Sequence, residues 1–113
     1  MHEMSVIAGV LQIAEEQARA AGARVVNTIE MEIGQLAGIE TESLRFCFQV
    51  ARRGTMAEEA ELVIRDVPGV GRCPGCRKEM PMDYWTAVCS ECGQAVLDIV
   101  RGRELKVKSI NVD

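Results

Sequence analysis

Histidine, aromatic residues and an excess of positive charge are all scarce in this chain. One histidine occurs among 113 residues, aromatic residues make up 4%, and the formal net charge is −4. A protein that binds nucleic-acid backbones normally carries a basic face, so the negative net charge argues against phosphate recognition. The one histidine is His2, at the start of the chain, so an interior nucleophile has no histidine base to pair with. There is no phosphate-binding glycine loop either, and we expect no enzymatic activity.

Long apolar runs are also missing. No stretch approaches the roughly 18 apolar residues that a membrane-spanning helix needs. The opening MHEMSVIAGVLQIAEEQ has no basic segment, and glutamates interrupt its apolar part, so it is not typical of a secretory signal. We therefore expect a cytoplasmic protein without membrane contact. In a reducing compartment, five cysteines favour metal ligation or catalysis over a disulfide framework.

Apolar spacing predicts two helices. From Met4 to Ala21 the apolar residues recur at three- and four-residue steps, and Gly22 is a natural end for that helix. A second helix is predicted from about Thr41 to Arg52. Cys47 falls on the apolar face of this second helix, so we expect it to be a buried thiol and not a metal ligand.

Three strands are predicted around these helices. VNTIEMEIG alternates as a strand with one wet face, and AELVIRDV is a second strand that Pro68 and Gly69 end. The tail RELKVKSINVD alternates at Leu105 and Val107, then changes phase to Ile110, which indicates a bulge or a strand end. The predicted fold class is therefore α+β, a two-layer α/β unit whose three-stranded sheet carries both helices on one face. Residues 1–70, completed by 101–113, form this domain, and 71–100 form an inserted module.

The insert carries two C-x-x-C motifs. CPGC supplies Cys73 and Cys76, and CSEC supplies Cys89 and Cys92 after a gap of twelve residues. Two such pairs can complete a tetrahedron of sulfurs around Zn²⁺. Gly93 follows the second pair, where a glycine can take a positive φ as the chain turns past the metal. The pattern predicts a structural, zinc-ribbon-like site, closed because protein fills all four positions.

Other uses of these thiols stay open at this stage. CPGC alone permits a redox dithiol, although a second pair at hairpin distance favours shared ligation. Iron can occupy four cysteine sulfurs as well as zinc can. Between Val70 and Arg101, four positive and four negative residues cancel, and four thiolates around one Zn²⁺ add negative charge, which disfavours phosphate binding. We expect Tyr84 and Trp85 to cover the metal cluster, and Met80 and Met82 to fill space around it.

The first three residues, MHE, form a chelator at a free N-terminus. The Met1 amine and the His2 amide nitrogen close one ring on a metal, and the His2 imidazole Nδ1 closes a second ring. Glu3 can supply a fourth donor from its backbone amide or its carboxylate. A planar, nitrogen-rich set favours Ni(II) or Cu(II) over zinc.

These residues together carry a resemblance. MHEMS at the start, GIETESLRFCF in the middle, the paired C-x-x-C motifs and GRELKVKSINVD at the end resemble the HypA/HybF family over essentially the whole chain. Members of that family are nickel metallochaperones that help to assemble the metal centre of [NiFe]-hydrogenases. The resemblance implies a nickel-binding α/β domain with a zinc-ribbon-like insert.

The resemblance also implies a ligand set and partners. Nickel is held by His2, with Met1 and Glu3 contributing through the backbone. Glu40 stands where the family often has an acidic residue before the second helix and is expected to approach the nickel, although a carboxylate at a helix start also has a plain capping or dipole explanation. The implied partners are the GTPase HypB and the hydrogenase large-subunit precursor, or urease for some members.

A competing hypothesis is a zinc-ribbon module that binds protein or RNA and has no role in nickel delivery. The expected assembly is a monomer or a weak homodimer.

Overall fold

The structure is a computed structural model that describes residues 2–83, 87–96 and 98–113. The chain forms two compact units. The first contains Met1–Met31, Ile39–Arg65 and Lys106–Asp113. The second contains Glu32–Gly38 and Asp66–Leu105. Within the described ranges, no helix is long and apolar enough to cross a membrane.

The first helix, α1, spans Glu3–Ala20. Its predicted apolar stripe is buried along its whole length and consists of Ile7, Val10, Leu11, Ala14 and Ala18. Gly22 follows with a φ of +72°, and the N–H of Ala23 donates back to the carbonyl of Ala18 at 2.8 Å. A glycine in this left-handed conformation caps a helix without steric cost, so the predicted end of α1 is confirmed.

The second helix, α2, spans Thr41–Ala51 and buries Leu44 and Phe48. The expectation that Cys47 is buried is wrong, because its thiol is only half-buried. The stripe that α2 buries is narrow, and Cys47 lies on its margin together with the half-buried Ala51. Among the described residues, the group of four cysteines reported below does not include Cys47.

The described residues form eight strands. They are β1 (Val26–Gly34), β2 (Glu61–Val67), β3 (Val70–Arg72), β4 (Glu79–Pro81), β5 (Ala87–Val88), β6 (Ala95–Val96), β7 (Asp98–Arg101) and β8 (Leu105–Val112). The predicted three-stranded sheet is present, with the order β2-β1-β8. A second sheet has the order β4-β3-β7, and β5 and β6 form a hairpin. The mixed α+β fold class is thereby confirmed.

The central strand of the first sheet, β1, provides much of the core. Its buried residues Ile29, Met31 and Ile33 alternate with half-buried ones, as in a strand with one covered face. Together with Ile7 of α1 and Phe48 of α2, they are among the largest fully buried side chains. Burying a side chain of this size typically stabilises a fold by about 1.5–3 kcal/mol.

The strands of the second sheet are short and antiparallel. In β3 and β4 the registered pairs are Val70 with Pro81, Gly71 with Met80, and Arg72 with Glu79. The pairing of β3 with β7 shifts register between Val70 and Gly71. These three strands carry the first C-x-x-C motif between β3 and β4, and the β5–β6 hairpin carries the second.

Three glycines allow the backbone of the second unit to pack closely. A Cβ on Gly34 would overlap the carbonyl of Gly102, and a Cβ on Gly69 would overlap the carbonyl of Met82. Gly102 has a φ of +113° and lies against the Cα of Gly69. Side chains are excluded at these crossings, which explains why glycine occupies all three positions.

Candidate metal centre

The four predicted cysteines lie together. The Sγ atoms of Cys73, Cys76, Cys89 and Cys92 are all within 4.8 Å of one another. Cys73 Sγ is 3.4 Å from Cys92 Sγ, and Cys76 Sγ is 3.6 Å from Cys89 Sγ. A tetrahedron with metal–sulfur bonds of about 2.3 Å has sulfurs about 3.8 Å apart. The spacing suits a single ion of this size, and the cluster is a four-cysteine metal site.

The first C-x-x-C motif is a tight turn held by backbone hydrogen bonds. The N–H of Cys73 donates to the carbonyl of Lys78 at 3.0 Å, and the N–H of Arg77 donates to the carbonyl of Cys73 at 2.7 Å. Arg77 has a φ of +63°, which makes it the one non-glycine residue with a positive φ in the part of the chain that the structure describes.

The second motif repeats the same turn. The N–H of Cys89 donates to the carbonyl of Gln94 at 2.8 Å, and the N–H of Gly93 donates to the carbonyl of Cys89 at 2.9 Å. Gly93 has a φ of +75°, so the predicted role of this glycine is confirmed. Gly93 and Arg77 hold equivalent positions, four residues after the first cysteine of each motif. We name these two turns the first and second knuckle.

The local environment lowers the pKa of some of these thiols and raises the pKa of others. The backbone N–H of Cys76 lowers the pKa of Cys73 to about 7. The N–H of Cys92 likewise lowers the pKa of Cys89. At Cys92, the N–H of Gln94 lowers the pKa, but the thiol of Cys73 and burial raise it more, to about 11. Ionisation of all four crowded thiols is therefore unfavourable without a cation. A bound divalent cation allows each of them to bind as a thiolate.

Apolar packing protects the cluster. Cys73 and Cys89 are 0% and 2% exposed, and the half-buried Met80 packs against them. The expectation that Met80 fills space beside the metal loop is therefore confirmed. The predicted cover by Tyr84 and Trp85 lies outside the described residues.

Ion pairs organise the charges of residues 72–101. Lys78 Nζ in the first knuckle is 2.9 Å from Glu91 Oε1 in the second. Glu79 accepts from Arg72 at 2.8 Å and from Arg101 at 3.4 Å, which lowers the pKa of its carboxyl, mainly through the bond to Arg72. Three of the cations in this segment thus face carboxylates instead of forming one basic surface.

A second group of predicted residues lies at the start of α1. His2 is the N-cap, with an extended backbone and an exposed side chain, and Glu3 is the first helical residue. Glu3 Oε2 accepts a hydrogen bond from the N–H of Glu40 at 3.2 Å. This bond is the largest cause that lowers the pKa of Glu3. Met1 lies outside the described residues.

Glu40 has a structural role of its own. It is the N-cap of α2, and its Oε1 accepts from the N–H of Glu42 at 3.1 Å. A carboxylate there satisfies an orphan N–H and interacts favourably with the helix dipole. The structure therefore brings Glu40 beside Glu3, and capping alone accounts for an acidic residue at this position. Contact of Glu40 with nickel stays a prediction.

Sequence reasoning missed three residues around the cluster. The Lys78–Glu91 pair joins segments thirteen positions apart, and no local sequence pattern predicts such a contact. Arg77 could have been found, because Gly93 at the equivalent position of the second knuckle signals a left-handed residue.

Comparisons with known proteins agree with this arrangement. Residues 1–112 match the family described as "Hydrogenase/urease nickel incorporation, metallochaperone, hypA". The hydrogenase maturation factor HypA of Chlorobaculum tepidum is 46% identical over 113 residues, and the match covers all of both chains. The factor of the same name from Azotobacter vinelandii is 43% identical, again over all of both chains.

Solved structures show the same fold. The solution structure of the nickel metallochaperone HypA from Helicobacter pylori has a TM-score of 0.68 and 22% identity, covering 99% of this chain and 97% of that one. A second solution structure of a HypA protein has a TM-score of 0.73 and 24% identity, covering 100% and 97%. With a family match over nearly its whole length and curated relatives above 40% identity, the chain belongs to the HypA family of hydrogenase/urease nickel-incorporation metallochaperones.

Proposed function

We propose that this protein binds Ni(II) as cargo at its N-terminus and delivers it during maturation of a [NiFe]-hydrogenase, while Zn(II) in the four-cysteine site holds the insert in shape. The nickel ligands are His2, with Met1 and Glu3 contributing through the backbone, and Glu40 nearby. Residues 1–70 with 101–113 form the nickel domain, and 71–100 form the zinc module. The protein itself catalyses no reaction.

The start of α1 suits a chelating ligand set. The first four N–H groups of a helix have no partner within it, and the first hydrogen bond of α1 runs from Val6 N–H to the carbonyl of His2, at 3.2 Å. The amides of His2 and Glu3 can therefore bind a metal without breaking a bond inside the helix. This placement, with Glu40 held against Glu3, is the observation that carries the proposal.

Zinc is the favoured ion for the cysteine cluster. All four positions of the site are thiolates supplied by the protein, which leaves no position for water or substrate. A closed tetrahedral site of this kind stabilises a small module and does not catalyse. When bound, zinc supplies folding free energy, typically about 10–16 kcal/mol for small zinc modules.

Partners and location follow from the same proposal. We propose the GTPase HypB as the partner that acts with this chain and the hydrogenase large-subunit precursor as the recipient, with urease as a further client class that the family description includes. We propose a cytoplasmic location, because thiols that ligate zinc must stay reduced.

Calorimetric titration of the untagged, zinc-loaded protein with Ni²⁺ tests the proposal. We expect about one site per chain, in keeping with a closed zinc site that takes up no further ion. His2→Ala should abolish this site and leave the zinc content unchanged. A single glycine added before Met1 keeps every side chain but moves the amine out of the chelate ring, so it should weaken binding as well.

The matched control is Gln12→Ala, an exposed substitution on the same helix, which should bind nickel normally. Undiminished binding by both the His2→Ala and the glycine-extended proteins would refute a terminal nickel site and favour a zinc-ribbon interaction module. Thiol titration with and without a chelator excludes or identifies a dithiol redox protein in the same samples.

The pH dependence gives a second test. An α-amine ordinarily titrates near about 7.7–8.0 and an imidazole near about 6.5, and both bind metal only when deprotonated. Nickel affinity should therefore fall steeply as the pH drops from about 7.5 to 6. The lowered pKa of Glu3 keeps its carboxylate ionised over that range, so it adds nothing to the fall. A flat profile would argue against the amine as a ligand.

A further inference from the structure

Arg77 combines a strained backbone with an unpaired side chain. Its φ of +63° is a conformation that glycine adopts freely, and Gly93 occupies the equivalent position of the second knuckle. A side chain at this angle costs free energy, because its Cβ crowds the backbone. The guanidinium of Arg77 makes no hydrogen bond or ion pair with the other residues that the structure describes. Among those residues, no side-chain contact offsets the strain.

The other cations nearby do have partners. Residues 72–101 hold three further cations, and each lies within 3.4 Å of a carboxylate oxygen, namely Arg72, Lys78 and Arg101. Backbone strain is often found at positions whose side chain has a function. Arg77 therefore presents an unpaired, exposed guanidinium in a segment whose other cations are neutralised.

An open groove adjoins this guanidinium. It is lined by Arg72, Cys73, Pro74, Arg77 and Asp98 and has a volume of about 410 Å³. All five residues belong to the second unit. A volume of this size is typical of ligand-binding clefts and is large enough for a few residues of an extended peptide. We name it the Arg77 groove.

The Arg77 groove also contains an unpaired carboxylate. Arg72 in the central strand β3 is in register with Glu79 on one side and with Asp98 on the other. The guanidinium of Arg72 donates to Glu79 at 2.8 Å. Asp98 is exposed, and its carboxylate makes no hydrogen bond or ion pair with the other described residues. The groove thus offers one free donor group and one free acceptor group.

These two groups favour a peptide carboxylate over other anions. A guanidinium can donate two parallel hydrogen bonds to a carboxylate. A peptide also carries N–H groups, from which the Asp98 carboxylate can accept. A phosphate dianion offers Asp98 no donor, and both Asp98 and the thiolates of a zinc-loaded cluster repel it. The groove therefore suits an acidic peptide better than a phosphate or a nucleic-acid backbone.

We propose that the Arg77 groove binds an acidic peptide segment of a partner protein. Arg77 donates to a carboxylate of that segment, and Asp98 accepts from one of its N–H groups. Arg72, whose side chain is 47% exposed, adds a second positive charge beside the site. Binding is weak and weakens further with salt, because ion pairs at an exposed surface are screened. It requires no nickel and is therefore independent of the function proposed above.

Titration of the full-length, zinc-loaded protein with a short peptide tests the proposal. The probe is a capped hexapeptide, Gly-Asp-Glu-Asp-Glu-Gly, and the matched control is Gly-Asn-Gln-Asn-Gln-Gly, which has a similar shape without the charge. The acidic peptide should shift the NMR signals of the Arg77 and Asp98 amides and of the Arg77 Nε–H. The control peptide, and inorganic phosphate at equal ionic strength, should each bind at least about fivefold more weakly.

Substitutions at Arg77 separate the role of its side chain from that of its backbone. Arg77→Gln removes the charge and Arg77→Gly also relaxes the backbone, so both should weaken binding of the acidic peptide about fivefold. A damaged knuckle cannot explain the loss in Arg77→Gly, because glycine suits the positive φ. Arg53→Gln removes the same charge from an exposed position after α2 and should bind the peptide normally. The zinc content of every variant is measured alongside.

Asp98→Asn tests the selection between anions. Removal of this carboxylate charge should raise the affinity for inorganic phosphate, because the main repulsion within the groove is gone. Unchanged phosphate affinity in this variant would contradict the placement of the ligand beside Asp98.

Other results would overturn the proposal as a whole. They are unchanged peptide affinity in both Arg77 variants, equal binding of the acidic and control peptides, signal shifts confined to residues outside the groove, and tighter binding of phosphate than of the acidic peptide. His2→Ala should bind the acidic peptide as the parent protein does. Failure of the terminal nickel site therefore leaves this test unaffected.

Discussion

Arg77 and Gly93 show how a single backbone angle affects the stability of the metal cluster. They occupy equivalent positions in the two knuckles, with φ of +63° and +75°, but only glycine takes that conformation freely. We expect Arg77→Gly to stabilise the first knuckle by up to about 1 kcal/mol, because glycine has no Cβ and the positive φ is then unstrained. Competition against a zinc chelator measures this gain, and Gly93→Arg should produce the opposite effect. A lower zinc affinity in Arg77→Gly would show that the Arg77 side chain contributes more than its backbone costs.

Glu30 and Arg65 give stability a pH dependence that can be tested. Arg65 Nε donates to Glu30 Oε2 at 2.8 Å, and this bond is the main cause that lowers the pKa of Glu30. A carboxyl whose pKa is lower in the folded state stabilises the fold above its unfolded pKa, near about 4.3, and loses that contribution as the pH falls through the folded value. Arg65→Gln should therefore lower the melting temperature at neutral pH and have little effect in acid.

The control for that experiment is Arg53→Gln, which removes the same charge from an exposed position after α2. Melting curves of the three proteins across the acid range are compared. An equal difference between Arg65→Gln and the parent at every pH would mean that the arginine acts through packing and not through the carboxylate.

Among the secondary structure elements, the short strands of the insert depend on the metal. The strands from β3 to β7 have two to four residues each, too few to bury an independent core. Removal of zinc should therefore unfold the knuckles and abolish dispersion of the β3–β7 amide signals, while the helical circular dichroism of α1 and α2 persists. Re-addition of zinc should restore the signals. Loss of the helical signal on chelation would show that the two units fold as one.

The elements that sequence predicted well are those with a local periodic signal. VNTIEMEIG is β1 residue for residue, and the helix ends agree within one residue. The strands of the insert were not anticipated, because a strand of two or three residues has no measurable period and its partners are distant in sequence. Cys47 was misplaced for a related reason, since helical spacing gives the side of a helix but not the width of the stripe that its neighbours cover.

For the molecule as a whole, sequence identified the cysteines of the metal site but not what surrounds them. Spacing alone paired the four thiols, because ligand geometry restricts which spacings can work. It could not foresee that Glu3 meets Glu40 across thirty-seven positions. It also could not foresee the glycine crossings at Gly34, Gly69 and Gly102. Such contacts depend on distances that the tertiary fold sets.

The two arginines beside β2 limit how the sheet can be extended at the start of that strand. A further strand joins a sheet by pairing with unoccupied carbonyl and N–H groups along its edge. Here Arg45 donates to the carbonyl of Leu62 in β2, and Arg52 donates to the carbonyl of Ala60 just before it. Side chains already occupy both carbonyls, so edge-to-edge growth into a filament is disfavoured where β2 begins.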